Sequence, residues 1–405
     1  MKKNEHQTRR SFLKKGIATA AGSAFMPTAF SQEPLDNTSK VDDKLLYRTL
    51  GRTDIKLPVV SMGAGDTDNA RLLGYGLDNG LKLVATSQYY GNGNNEKVVA
   101  EAIKGRERDS FVVMSSAMPA GIDHKNGVYT DASSEDDFLK KFDGSLERLG
   151  LEQIDIFLLP FAAKRESVFY KPLLSAMEKI KLSGKAKYVG IATHSWESEA
   201  IRAAIETELY DVVMTAYNFK HQNGTDIANA LAEAHEAGLG TIAMKTMAGA
   251  YWDKERTQSI NTKAALKWVL NNEHVHTTVP GITAFDQLQQ NINLMGNISL
   301  SNAEWSDLKL SQTNHSRGIY CQQCGACVSQ CAEQLDIPTA MRSYMYAFGY
   351  KNLAHAKQTY KWSAVNSNAC NGCTRCSVSC PMGFDVKEKL ASINEIDAIS
   401  DSFLS

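Results

Sequence analysis

The sequence predicts a (β/α)8 TIM barrel followed by a small, mainly helical, cysteine-rich domain. Three observations predict it. Eight short apolar or β-branched runs alternate with helix-period stretches between residue 44 and about residue 315. No G-x-G-x-x-G follows the first run, so the dinucleotide fingerprint of the competing open, doubly wound sheet is missing. All eight cysteines lie between Cys321 and Cys380, and the first 320 residues hold none. The length of 405 residues suits one barrel plus an appendage. With 43% hydrophobic and 22% charged residues, a disordered or fibrous chain is excluded. The formal net charge of −1 gives no electrostatic reason to expect nucleic acid or an anionic membrane as partner.

The elements follow in chain order. Residues 1–15 are basic, residues 16–32 are 17 uncharged residues rich in Ala and Gly, and Ala29-Phe30-Ser31 offers small residues for a signal peptidase. Gly16, Gly22 and Pro27 make this stretch a poor membrane-spanning helix. Thr8-Arg9-Arg10-Ser11-Phe12-Leu13-Lys14 resembles the twin-arginine export signal along its whole length. That resemblance implies passage through the twin-arginine translocase, a periplasmic or otherwise exported location, and no membrane anchor after processing. Removing residues 1–31 takes away six basic residues and one acidic one, leaving the mature chain at −6. Residues 32–43 are polar and read as a linker, 44–315 as the barrel, and 316–405 as the cysteine domain.

The predicted barrel strands are residues 57–63, 81–87, 111–117, 154–161, 188–194, 212–218, 240–247 and 277–283. Helix-period stretches lie between them, with Gly150, Gly184 and Gly238 at expected helix ends. Across roughly residues 46–300 the sequence resembles the aldo-keto reductase family. The pieces that carry the resemblance are Tyr47-Arg48-Thr49-Leu50-Gly51-Arg52-Thr53, Tyr90-Gly91-Asn92-Gly93-Asn94-Asn95-Glu96, and Ser145-Leu146-Glu147-Arg148-Leu149-Gly150. Others are Gly184-Lys185, Gly190-Ile191, Tyr217-Asn218, Ala243-Met244-Lys245 and Val279-Pro280-Gly281. The family implies a barrel that binds NADPH and reduces carbonyls.

Carbonyl reduction needs a proton donor at the oxygen that receives charge. The family uses a tyrosine made more acidic by a lysine, with an aspartate and a histidine in support. The resemblance places the tyrosine at Tyr90, but the aspartate, lysine and histidine positions fall at Ala85, Ser116 and Pro160. Three of the four catalytic positions are therefore expected to be lost. For the cofactor, Tyr217, Asn218, Pro280, Gly281 and Asn291 match a retained NADPH-like site, whereas Gln287 stands where an arginine often grips the 2′-phosphate. NADP(H) is accordingly doubtful, and a standard NADPH carbonyl reductase is disfavoured. A polar set remains at the C-terminal barrel face, where such folds do chemistry: Gln88, Tyr89 and Tyr90, His194, Asn218 with Lys220 and His221, and Lys245. Of these Tyr90, Lys245 and His194 are the catalytic candidates.

In the cysteine block, Cys321-x2-Cys324-x2-Cys327-x3-Cys331 is followed by Cys370-x2-Cys373-x2-Cys376-x3-Cys380-Pro381. The spacing is that of bacterial ferredoxins, twice over, and implies two [4Fe–4S] clusters. By that resemblance Cys321, Cys324, Cys327 and Cys380 hold one cluster, and Cys370, Cys373, Cys376 and Cys331 the other. Residues 341–362, between the runs, have helical composition and several aromatics, as in α-helical ferredoxin-like modules. Four-thiolate zinc sites and disulfides are the alternatives. Twin-arginine export, known for carrying folded proteins, favours clusters assembled before export.

Three functions are consistent with these features. The first is an exported iron–sulfur oxidoreductase that converts a small-molecule substrate in the barrel pocket and exchanges single electrons with a redox partner protein or quinone-linked donor. The second is an electron-transfer or interaction protein on a catalytically degenerate barrel. The third is an NADPH-dependent carbonyl reductase. The surviving polar barrel face favours the first.

Overall fold

The computed structural model describes residues 45–313, 318–365, 369–370, 373–400 and 403. The expected export segment, 1–31, and linker, 32–43, lie outside the described residues. All described residues belong to one compact unit.

The chain enters through an antiparallel hairpin, β1 (Tyr47–Thr49) with β2 (Lys56–Pro58). The Arg48 guanidinium donates to the carbonyls of Leu270 at 3.0 Å and Asn272 at 3.2 Å, tying the hairpin to the last quarter of the barrel. Leu50, Ile55 and Leu57 pack with Leu83, Met114 and Ile156 and fill the barrel interior from below.

Eight parallel strands then form the barrel wall. They are β3 (Met62–Gly63), β4 (Leu83–Ala85) and β5 (Val112–Ser116), then, after a small hairpin of β6 (Ile122–Asp123) and β7 (Val128–Tyr129), β8 (Ile154–Pro160), β9 (Ala186–Thr193), β10 (Val212–Ala216), β11 (Gly240–Met244) and β12 (Thr277–Thr278). Each pairs with the next, and parallel bridges Val60–Thr278 and Gly63–Gly281 bring the last strand back to the first. All eight predicted runs overlap a barrel strand, although β9 begins two residues before its run, at Ala186.

Helices α1 (Ala70–Asp78), α2 (Asn94–Ile103), α3 (Glu135–Leu149), α4 (Arg165–Val168), α5 (Lys171–Leu182), α6 (Glu197–Glu206), α7 (Gly224–Glu236), α8 (Thr262–Leu270) and α9 (Phe285–Leu294) alternate with the strands. α3 shows why the helices sit where they do. The Ser134 side chain accepts from the Asp137 amide, Glu135, Asp136 and Asp137 complement the helix dipole, and Gly150 at φ +66° ends it. Two of the sequence pieces meet here as scaffold. Arg148 Nε lies 2.6 Å from a carboxylate oxygen of the buried Glu96, whose other oxygen accepts from Ser115 at 2.6 Å. A buried carboxylate so paired locks α2 against α3.

After α10 (Asn302–Thr313) the cysteine region contributes α11 (Ile337–Tyr344), a π-helical turn (Met345–Gly349), α12 (Leu353–Trp362) and α13 (Val386–Asp397). These helices share one core with the barrel: Ala248, Trp252 and Ile260 pack in the same cluster as Tyr320, Met345 and Tyr360. Two glycines allow the close approach. A Cβ at Gly349 would lie 2.6 Å from the Gly249 carbonyl oxygen, and Gly249 itself has φ +87°. Among the described residues, no helix is long and apolar enough to cross a membrane.

Candidate functional site

A cavity of about 420 Å³ opens at the C-terminal ends of the barrel strands. Ala85, Ser116 and Pro160, from the ends of β4, β5 and β8, line it together with Tyr90. The four positions aligned with a tyrosine, an aspartate, a lysine and a histidine thus face one space, but only the tyrosine offers a titratable group. The Tyr90 ring lies against Gly65, where a Cβ would come within 2.8 Å of it. Burial, followed by the influence of Tyr89, holds the Tyr90 phenol well above the ordinary tyrosine range.

The roof of the cavity comes from the cysteine region. Tyr346 and Gly349 of the π-helical turn, Tyr350, and His355 of α12 all line it. π-helical turns recur at functional sites because they break the regular hydrogen-bond ladder and re-aim side chains. Lys245, the candidate from the end of β11, donates from Nζ to the Tyr346 hydroxyl at 2.9 Å and lies 4.3 Å from that ring's centroid. The lysine is thus engaged by a tyrosine of the roof. His355 stacks on Tyr346, with ring centroids 3.9 Å apart and planes 19° apart, and meets Tyr90 edge-on at 5.5 Å. The chain leaving β11 is strained: Lys245, Ala248, Ala250 and Arg256 all have φ between +46° and +66°. Such strain persists where surrounding structure over-determines it, commonly beside a functional site.

The structure brings Tyr90, Lys245, His194, Pro280, Gly281 and Asn291 to this cavity. It places Tyr217 and Asn218 behind the wall instead. The Tyr217 ring packs on Trp268 at 5.0 Å within the helix–sheet core, and so does not offer a stacking face to the cavity. Asn218 Nδ2 donates to the Lys245 carbonyl at 3.1 Å, which props the strained loop rather than a ligand. His221 is likewise structural, its Nε2 lying 3.0 Å from the Tyr320 hydroxyl. Sequence reasoning missed Tyr346, Tyr350 and His355. The one local signal was the aromatic density of 344–350.

The His355 and His124 imidazoles are held neutral. Burial, then the Lys245 charge, lowers His355 to about 3, and burial, then Arg342, lowers His124 to about 3. An unfolded chain protonates both near 6.5. Between those limits the unfolded state binds more protons, so their contribution to stability is complete above pH 6.5 and falls as the pH drops. The slope is up to about 1.4 kcal/mol per pH unit for each histidine. Thermal melting of the protein below pH 6.5 should therefore show a steep fall in Tm, and His124→Gln should flatten it. An identical slope in that variant would contradict the assignment.

The wall after β12 tests the fit of a phosphorylated dinucleotide. A Cβ at Gly281 would lie 2.7 Å from Asp66 Oδ2, and Asp66 Oδ1 accepts from Asn352 Nδ2 at 2.9 Å. Gln287 Oε1 accepts from the Thr283 amide and hydroxyl at 3.0 and 3.2 Å, folding its amide onto its own loop. Residues 279–297 contain no Lys or Arg. A carboxylate beside the glycine and no cation along the segment do not fit the 2′-phosphate of NADPH.

The cysteines fit their implied cofactor better. All eight are free of disulfides. The Cys321 thiol has Cys327, Cys380 and Cys324 near enough to act on it electrostatically, and Cys370 has Cys373, Cys331 and Cys376. Each group takes three sulfurs from one run and the last cysteine of the other. Gln330 ties the two runs together: its carbonyl accepts from the Ser377 hydroxyl at 2.6 Å and its Oε1 from the Ser379 amide at 2.7 Å. Among the described residues, no three His, Cys, Asp or Glu side chains converge to hold a single ion. Burial pushes the Cys327 thiol up to about 12, so a thiolate there calls for a cationic partner. Four thiolates per group suit a [4Fe–4S] cluster.

The two groups differ in position. Cys321 lines a small void together with His194, Lys245 and Arg342, directly behind the barrel cavity. The Cys370 group lines a separate void walled only by residues of the cysteine region.

Comparison with known proteins agrees with both halves. The profile of the Aldo/keto reductase family matches residues 62–264, and that of a 4Fe-4S dicluster domain matches residues 320–385. L-glyceraldehyde 3-phosphate reductase of Escherichia coli O157:H7 is 23% identical over 325 residues, spanning 65% of this chain and 92% of that protein. NADH-specific methylglyoxal reductase of Escherichia coli K12 is 23% identical over 314 residues, spanning 63% of this chain and 94% of that protein. Among solved structures, the holo form of an aldo-keto reductase from Bacillus halodurans superposes with a TM-score of 0.53 at 18% identity, over 66% of this chain and 96% of its own. An aldo-keto reductase from Klebsiella pneumoniae in complex with NADPH gives 0.51 at 22% identity, over 66% and 95%. At these identities the solved structures speak to the fold.

Proposed function

Since the chain belongs to the aldo/keto reductase family, we propose that it is an exported iron–sulfur oxidoreductase acting on a small organic substrate in the barrel cavity. Two [4Fe–4S] clusters supply one-electron transfer when bound, linking the cavity to a redox partner protein or quinone-linked donor. The observation that carries this reading is the void that Cys321 shares with His194 and Lys245, which puts one four-sulfur group against the substrate space. Cys321, Cys324, Cys327 and Cys380 hold the inner cluster, and Cys370, Cys373, Cys376 and Cys331 the outer one. The dinucleotide wall gives no support to NADPH.

The residues of the cavity divide the remaining work. Tyr346 delivers a proton to the substrate atom that takes up charge, and Lys245, bonded to the same oxygen, stabilises the phenolate left behind. Tyr90, which has no lysine beside it, shapes the wall. Tyr346, Tyr350 and His355 exclude water from above. Export through the twin-arginine translocase to the periplasm is supported by residues 8–14.

Anaerobic purification of the processed, periplasmic protein tests the reading. About eight irons and eight sulfides per chain are expected. Reduced protein should then be reoxidised by at least one small organic acceptor, followed by cluster absorbance, while NADPH should leave the oxidised clusters unreduced. Near-zero iron would overturn the cluster assignment. If no small molecule exchanges electrons with the clusters, the barrel is a scaffold and the protein an electron carrier.

A further inference from the structure

Three residues of the cavity wall each carry a buried polar atom with no hydrogen-bond partner among the described residues: Arg256 Nε, Thr246 Oγ1 and His355 Nδ1. They come from three places, the turn after β11, the loop beyond it and α12 of the roof, yet all border one space. Arg256 Nε can only donate, while the hydroxyl and the imidazole nitrogen can take either role. Buried polar groups are normally satisfied within the fold, so three such side chains around one cavity are poised to turn toward a ligand that completes them.

The charges specify that ligand further. Among the described residues of the wall, Lys245 and Arg256 are the cations and Asp66 the one carboxylate, already engaged by Asn352. The bound molecule must therefore bring a negative charge. Arg256 is positioned to receive it: Nη2 donates to the Tyr251 hydroxyl at 2.8 Å, and the guanidinium carbon sits 4.2 Å from the centroid of that ring, leaving Nε uncommitted. Tyr90, Tyr346 and Tyr350 present aromatic rings to the same space. A cavity of about 420 Å³ is within the usual size for a small organic ligand.

We propose that the cavity binds a small, planar organic acid, with its carboxylate on Arg256, its hydrogen-bonding groups on Thr246 and His355, and its body among the tyrosines beside Lys245. This deepens, and rests on, the reading of the cavity as the substrate site. It names the substrate class and assigns Arg256 as the anchor of specificity.

Calorimetric titration of the oxidised holoprotein, with no electron donor present, tests this independently of turnover. The probes are benzoate, its neutral isostere benzamide, and inorganic phosphate. Benzoate should bind saturably, with benzamide and phosphate at least tenfold weaker. Arg256→Gln should lose at least tenfold in benzoate affinity, Arg256→Lys should recover part of it, and Thr246→Val should weaken it less. Equal binding of benzamide, preference for phosphate, no benzoate binding, or an unchanged affinity in Arg256→Gln would each overturn the proposal. Iron content measured on the same samples reports separately on the clusters, so a failure here is distinguishable from a failure of the iron–sulfur reading.

Discussion

Replacing Cys380 by alanine is expected to remove about half the iron, and the cluster lost should be the one held by Cys321, Cys324 and Cys327. Cys380 closes the second run in sequence, four residues after Cys376, so a purely local site would pair it with its own neighbours. The structure instead sets it beside Cys321 and Cys327, while Cys331 stands with Cys370. Electron paramagnetic resonance of the reduced protein is the direct check. Cys380→Ala and Cys321→Ala should lose the same signal, and Cys331→Ala should share its loss with Cys370→Ala. A Cys380→Ala spectrum matching that of Cys370→Ala would refute the crossed arrangement.

The second large effect is expected at the roof. With any organic acceptor that turns over, Tyr346→Phe should lower kcat by about 10²–10⁴-fold while KM changes little, the range for losing a positioned proton donor. Lys245→Met should cause a comparable loss, because the phenolate then forms without its neighbouring cation. The double variant should be little worse than either single one, since the two groups act as a unit. Tyr90→Phe should cost far less, as burial holds that phenol strongly protonated and no lysine reaches it. A loss in Tyr90→Phe equal to that in Tyr346→Phe would return the proton-donor role to the barrel.

Much of this molecule was legible before any coordinates. Barrel strands show as short apolar runs because each is buried on both sides, and all eight runs overlap one. Gly150 announced the end of α3 because a left-handed terminus favours glycine. The positions of Ala85, Ser116 and Pro160 also followed from strand ends, which the barrel directs toward one mouth. Tyr217 misled, because its place at a strand end says nothing about which way the ring turns, and Trp268 claims it.

By itself, the sequence determined the barrel and the cysteine spacing, and it put Ala85, Ser116 and Pro160 at the ends of three barrel strands. Those features arise from local periodicity and from residue chemistry that does not depend on distant partners. Only the tertiary structure decided that the helices between the two cysteine runs roof the barrel, bring Tyr346 to Lys245 and Asn352 to Asp66, and set Cys321 against the cavity. The partners in those contacts are far apart along the chain, as with Lys245 and Tyr346, at 101 residues, and Asp66 and Asn352, at 286. No propensity or spacing rule carries information over such separations. Packing of one shared core carries it, and the two glycines at the interface let the backbones close the gap.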